Sequence, residues 1–309
     1  MLNPQPLGIG THTHTRRVIV EARERLAEAG LRGSFLVRNL DTGLELGIDP
    51  DITFPVASLV KVPLALTVLE QIRTGQVNPG TTMELLPENG TPGPTGLCNF
   101  SYPARIAVID LLFLAIAVSD DTAADALFAL CPPDMVDQQM TGMHISGLRI
   151  RHTIHDLYLT LAERLAPHEA HLAQALAIQA GTSGGGHLIP QLDVSHANSG
   201  SARDFVQLLD QIWSNAPSPE SSAEVRRMMG ANLLRHRLAP DFATGSSRWS
   251  SKTGTFLNLR HEVGVVEHAD GTRFAVAALT ESSVPVTAQP SAEQTIGYVA
   301  RMLHDTLRN

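Results

Sequence analysis

Strand-like alternation occurs only near the two ends of this chain. Residues 34–37 and 44–48 read as strands joined through the turn signal Asp41-Thr42-Gly43. Residues 248–254, 262–268 and 273–280 read as three more, with Asp270-Gly271 as the hairpin turn between the last two. Between the two groups the apolar period is helical, over residues 58–73, 107–118, 122–130, 168–180, 201–213 and 222–234. Amphipathic helices at 17–31 and 292–307 flank the strands. The economical assembly is an α+β fold: one antiparallel sheet built from both termini with flanking helices, beside an all-helical lobe. On this reading residues 1–51 and 216–309 form an α/β lobe and residues 52–215 the helical lobe. The two make one structural unit, with an active site in the cleft between them.

Three short motifs fall on this frame. Ser58-Leu59-Val60-Lys61 opens the helix at 58–73, where a hydroxyl lies near free backbone N–H groups and the positive end of the helix dipole. Pro63 is so near the helix start that few hydrogen bonds are lost. Lys61, roughly one turn on, shares a face with Ser58 and can take its proton if neutral or stabilise charge if protonated. Ser119-Asp120-Asp121 enters the helix at 122–130 and supplies a second hydroxyl able to relay a proton. Lys252-Thr253-Gly254 lies on an edge-strand candidate, where Lys252 and Thr253 can hold a substrate carboxylate. The backbone N–H groups of Ser58 and Thr255 would form an oxyanion hole. Each motif alone is as well explained by a helix cap, a capping turn or a strand end. Their joint occurrence in this order points to a serine nucleophile with lysine-assisted proton transfer.

The chain resembles a class A β-lactamase or a related penicillin-recognising serine hydrolase from about Ser34 to its C-terminus. The likeness is strongest in residues 54–61, 117–124 and 251–255. It implies a β-lactamase-like fold, with Ser58 as the acylated nucleophile. Lys61 and Ser119 would shuttle protons, and Lys252 and Thr253 would bind the substrate carboxylate.

Two departures from the family pattern matter. The middle motif ends in Asp121 where the family has Asn. An ionised Asp accepts hydrogen bonds and donates none, and its charge favours a protonated Lys61. Second, no Glu-x-x-x-Asn follows the middle motif to activate a deacylating water. Asp156, in Asp156-Leu157-Tyr158-Leu159-Thr160 with Arg151 upstream, is the nearest candidate base, and a helix cap is its competing role; Glu163 is a weaker one. The expected activity is that of a serine acyl hydrolase acting through an acyl-enzyme on carboxylate-bearing amides or esters, β-lactams included. A D-alanyl peptidase or esterase fits the same residues. So does a non-catalytic protein that captures β-lactam or peptide ligands.

Composition narrows the remaining classes. A net charge of -8 argues against a general nucleic-acid binder, and no apolar run approaches the ~20 residues of a membrane span. The N-terminus, residues 1–10, is polar and Pro/Gly-rich without a signal-peptide pattern, so a cytoplasmic location is expected, although a mature secreted form would read the same. Cys98, in a Gly/Pro loop, and Cys131, after an apolar run, make no disulfide framework. His12-Thr13-His14 has no third ligand nearby, so no metal or other cofactor is expected and the partner is a small-molecule substrate. Gly184-Gly185-Gly186 reads as a loop, and Arg260 and His261 as groups able to reach the cleft.

Overall fold

A computed structural model describes residues 9–165 and 167–308. The strands are β1 (Leu31–Asn39), β2 (Glu45–Ile48), β3 (Thr53–Pro55), β4 (Thr82–Leu85), β5 (Ala104–Ala107), β6 (Ser199–Ser201), β7 (Ser247–Phe256), β8 (Leu259–His268) and β9 (Arg273–Ser282). The helices are α1 (Ile9–Glu28), α2 (Lys61–Arg73), α3 (Val108–Ala117), α4 (Asp121–Leu130), α5 (Pro133–Gly142), α6 (Ile154–Arg164), α7 (Ala173–Ala180), α8 (Ala202–Trp213), α9 (Pro219–Gly230), α10 (Ala239–Phe242) and α11 (Pro290–Arg308).

The strands of the two ends join in one antiparallel sheet of order β2-β1-β9-β8-β7. The last strand pairs directly with the first, Leu31 opposite Ser282 and Asn39 opposite Phe274. Side chains alternate across a strand, so neighbours serve different cores. Phe35, Val37, Ile48, Trp249, Val266, Phe274 and Val276 pack under α1 and α11 through Ala22, Leu26, Ile296, Val299 and Leu303. Leu36, Val263, Val265, Ala275, Ala277 and Leu279 face the other way, into a larger core with α2, α3, α4, α8 and α9. Because both faces are covered, β9 is buried continuously from Phe274 to Thr280, and its sequence reads as an apolar run.

Several elements depart from the sequence reading. The helix expected at 58–73 starts as a 3-10 turn, Ala57–Val60, with Lys61 as the first α-helical residue. Helices α5 and α6 and the short ladders β3–β6 and β4–β5 have no counterpart in the sequence reading. The ladder strands have only three or four residues each, too few to show a period. The helix expected at 168–180 is a 3-10 segment, Pro167–Leu172, followed by α7. Both cysteines are free; Cys131 is buried and Cys98 is half-buried. Residues 1–8 and the side chain of His12 lie outside the described residues, and among those described no cluster of metal-ligating side chains occurs. No described helix is long and apolar enough to cross a membrane.

Candidate active site

Edge strand β7 runs beside the 3-10 turn that carries Ser58. Close approach there needs a residue without a side chain. A Cβ on Gly254 would sit 2.9 Å from the Val56 carbonyl oxygen and 3.1 Å from Leu59. Ala57, just before Ser58, has φ of 47°, and Ser119 has φ of 60°, so two site positions adopt the left-handed conformation that costs most L-residues energy. The surrounding packing holds them there. Val56 and Leu59 are fully buried, and Val56 N–H donates to the Asn198 carbonyl.

The middle motif is fixed by its aspartates. Asp120 is the N-cap of α4 and accepts from the N–H groups of Ala123 and Leu97 at 3.0 and 2.8 Å. Burial raises the pKa of its carboxyl in spite of those two donors. Leu97 belongs to the loop after Gly90, so Asp120 also pins that loop, and Pro94 forms part of the cleft rim. Gly96 allows this contact: its φ is +85°, and a Cβ would lie 2.1 Å from Asp120 Oδ2.

Lys61 Nζ is fully buried and donates to three acceptors: Ser119 O at 2.6 Å, Ser119 Oγ at 3.2 Å and Asp121 Oδ1 at 2.6 Å. None of these bonds goes to Ser58. The three near neighbours of Lys61 Nζ are Ser119 and Asp121 atoms, so the nitrogen is directed away from the Ser58 hydroxyl. The second Asp121 oxygen, Oδ2, takes a long bond of 3.4 Å from the Tyr158 hydroxyl. Burial and the Asp121 charge push the Tyr158 phenol well above its ordinary pKa, so it remains a donor. Tyr158 also meets Phe256 edge-on, with ring centroids 5.6 Å apart.

Lys252 reaches Ser119 Oγ from the opposite side, at 2.9 Å, and bonds the Thr253 carbonyl at 2.8 Å. Burial and the nearby Lys61 charge lower its pKa well below that of an ordinary lysine. It lies fully buried behind Ser119 and Thr253, two residues that line the larger cavity. The exposed Thr255 lines that cavity too. Behind Thr255 lies the buried Arg237, which donates to Thr255 Oγ1 at 2.8 Å, to the His261 carbonyl at 2.8 Å and to Glu293 at 2.5 Å. Arg237 and Tyr158 were missed in the sequence because neither lies in a motif; only the fold brings them to the cleft.

Two cavities flank Ser58. One, of ≈ 600 Å³, opens along β7 toward the start of α11, between Ser119, Asp121 and Tyr158 at one end and His236, Arg237 and Glu293 at the other. The other, of ≈ 30 Å³, has room for a water and is walled mainly by apolar groups such as Ile154, Leu157, Leu192 and Leu259. Asp121 is the one carboxylate lining this smaller cavity among the described residues. His152 lines it too, but its nitrogens are taken: Nδ1 donates to the Thr153 carbonyl at 2.7 Å, and Nε2 accepts the Asn198 N–H at 3.1 Å.

Asp156 does not reach either cavity. It is the N3 residue of a capping box, accepting from the Thr153 N–H and hydroxyl at 2.8 Å each while the Thr153 hydroxyl accepts its N–H. The candidate base is therefore a helix cap, and Glu163 is exposed on the same helix, away from both cavities. Arg260 and His261 are also not at the cleft. His261 bridges the Pro55 carbonyl and the Thr280 N–H, and Arg260 binds carbonyls of Leu257, Leu259 and Val286.

A model of the beta-lactamase enzyme family matches residues 17–307. The chain belongs to this family. It is 56% identical over 308 residues to the beta-lactamase regulatory protein BlaB of Streptomyces cacaoi, spanning 96% of this chain and 99% of that protein. Among solved structures, PBP-A superposes with a TM-score of 0.75 at 19% identity, covering 100% of this chain and 99% of the other. The TLA-3 extended-spectrum beta-lactamase does so at 0.76 and 15%, covering 96% and 100%. At such identities the likeness to these two structures is one of fold, and it bears out the β-lactamase-like α+β architecture expected from the sequence.

Proposed function

We propose that this chain is a regulatory ligand-binding member of the beta-lactamase family, which captures a small carboxylate-bearing amide in the Ser58 cleft and does not turn it over. The carrying observation is the buried pair of Lys61 and Asp121. With all three Nζ protons directed at Ser119 and Asp121, the lysine is no base for Ser58. The smaller cavity points the same way: its single carboxylate is already paired, so an acyl group on Ser58 would lack an activated water. The 56% identity to a protein named as a beta-lactamase regulator is consistent with a role in such regulation.

A second reading, a slow serine acyl hydrolase of the peptidase or esterase kind, is favoured by Lys252. Burial and the nearby Lys61 charge lower its pKa, and it bonds Ser119 Oγ, the hydroxyl of a proton relay. Intact-protein mass after incubation with benzylpenicillin, alongside hydrolysis of a chromogenic cephalosporin, separates the two, with Ser58→Ala as control. Capture without turnover predicts hydrolysis no faster than in the variant. A transient adduct with sustained hydrolysis, both abolished in Ser58→Ala, would establish the hydrolase and overturn the regulatory reading.

A further inference from the structure

We propose that the ligand of this cleft presents a hydrogen-bond donor, such as an amine, ammonium or amidine N–H, to Asp121, so that its class is a carboxylate-bearing molecule with a nitrogen donor rather than an acylated amide with its carbonyl at this point. The inference rests on the ligand-capture reading above and narrows the ligand it takes. Asp121 lines both cavities beside Ser58, so a ligand seated there meets its carboxylate. An ionised carboxylate offers about four lone-pair sites and no proton. Lys61 occupies Oδ1 at 2.6 Å, while Oδ2 has only the long Tyr158 bond of 3.4 Å and keeps accepting capacity toward the cleft.

An asparagine in this place could turn its amide to donate to a ligand carbonyl. Asp121 cannot, and a carbonyl oxygen set against it would place acceptor against acceptor in a site that is almost dry, with the Asp121 side chain 6% exposed. Tyr158 does not rescue such a carbonyl, because its single proton already points at Asp121. The neighbouring cations do not reverse the argument. Lys61 directs its three protons at Ser119 and Asp121, and the bonds of the buried Lys252 Nζ go to Ser119 and the Thr253 carbonyl. The ligand's carboxylate would lie at Thr253 and Thr255, with the Arg237 charge behind them.

The test is a pair of near-isosteric probes that differ in one atom. N-acetyl-D-alanyl-D-alanine carries a carbonyl acceptor, and N-acetimidoyl-D-alanyl-D-alanine carries an N–H donor in its place. Calorimetric titration of the full chain should show the acetimidoyl probe binding about tenfold or more tightly, as expected for one charge-assisted hydrogen bond. In Asp121→Asn the preference should collapse, and in Tyr158→Phe, which keeps the Lys61–Asp121 pair, it should persist. If the acetyl probe binds the wild type as tightly, the donor inference fails while ligand capture stands. Binding of neither probe would overturn the carboxylate-bearing ligand class, and this inference with it.

Discussion

Asp121 and Lys61 form an ion pair of 2.6 Å in which the lysine side chain is fully buried and the aspartate 6% exposed. They come from different elements, the first turn of α4 and the first residue of α2. The pair therefore ties the second motif to the helix of the first. Charges taken out of water this completely are stabilising only while both are present.

Asp121→Ala should consequently lower unfolding free energy by about 3–5 kcal/mol, because Lys61 is left as a buried charge without its counter-ion. The double variant Lys61→Met/Asp121→Leu should recover most of that loss. Chemical denaturation of the two variants measures both. A loss below about 1 kcal/mol in the single variant, which is the level of an exposed pair, would mean that water reaches Lys61.

Asp156→Ala separates a cap from a catalytic base. Loss of the capping box at α6 should cost about 0.5–2 kcal/mol and lower the melting temperature. Binding in the cleft should be unchanged, since the Asp156 carboxylate bonds only Thr153 among the described residues. A change in ligand affinity or in acyl-adduct lifetime without a stability change would restore it as a functional residue.

Gly254→Ala tests the approach of β7 to the serine turn. The added methyl meets the Val56 carbonyl at 2.9 Å, which is backbone and gives little. Overpacking of this kind costs about 1–3 kcal/mol, and the displacement falls on the turn bearing Ser58. Both melting temperature and ligand binding should drop. An unchanged affinity would show that the turn tolerates the shift.

Acid should weaken the fold through histidines held neutral. His304 meets His268 at 3.0 Å between Nε2 atoms, beside Phe242 and Phe274, and burial lowers its pKa to about 4. Within the sheet, His261 is lowered to about 3, again by burial. A base whose folded pKa lies below its unfolded value, near 6.5, contributes stability above that value and loses it as pH falls toward the folded pKa. Melting temperature should therefore decline from about pH 6.5 to about pH 3, and His304→Leu should flatten the part of the slope above about pH 4. An equal slope in the variant would place the acid sensitivity elsewhere.

Much of this architecture was legible in the sequence. Strands at both ends with helices between leave few assemblies that bury every apolar face, and Asp270-Gly271 marks its turn locally. The placement of the three motifs was legible too, because each sits at the start of a helix or on an edge strand. What a lysine nitrogen or a carboxylate faces is a different matter, because it depends on partners far along the chain. Lys61 meets Ser119 and Asp121 across 58 and 60 residues, Lys252 meets Ser119 across 133, and Arg237 is positioned by Glu293 on the last helix. Asp156 shows the converse: its role is settled three residues away by Thr153, yet only the backbone path of α6 decides whether it caps or points to the cleft. Periodicity and local motifs determine which elements form and which residues head them. The tertiary structure alone decides how buried charges pair, because desolvation makes each depend on the single partner that the packing brings within reach.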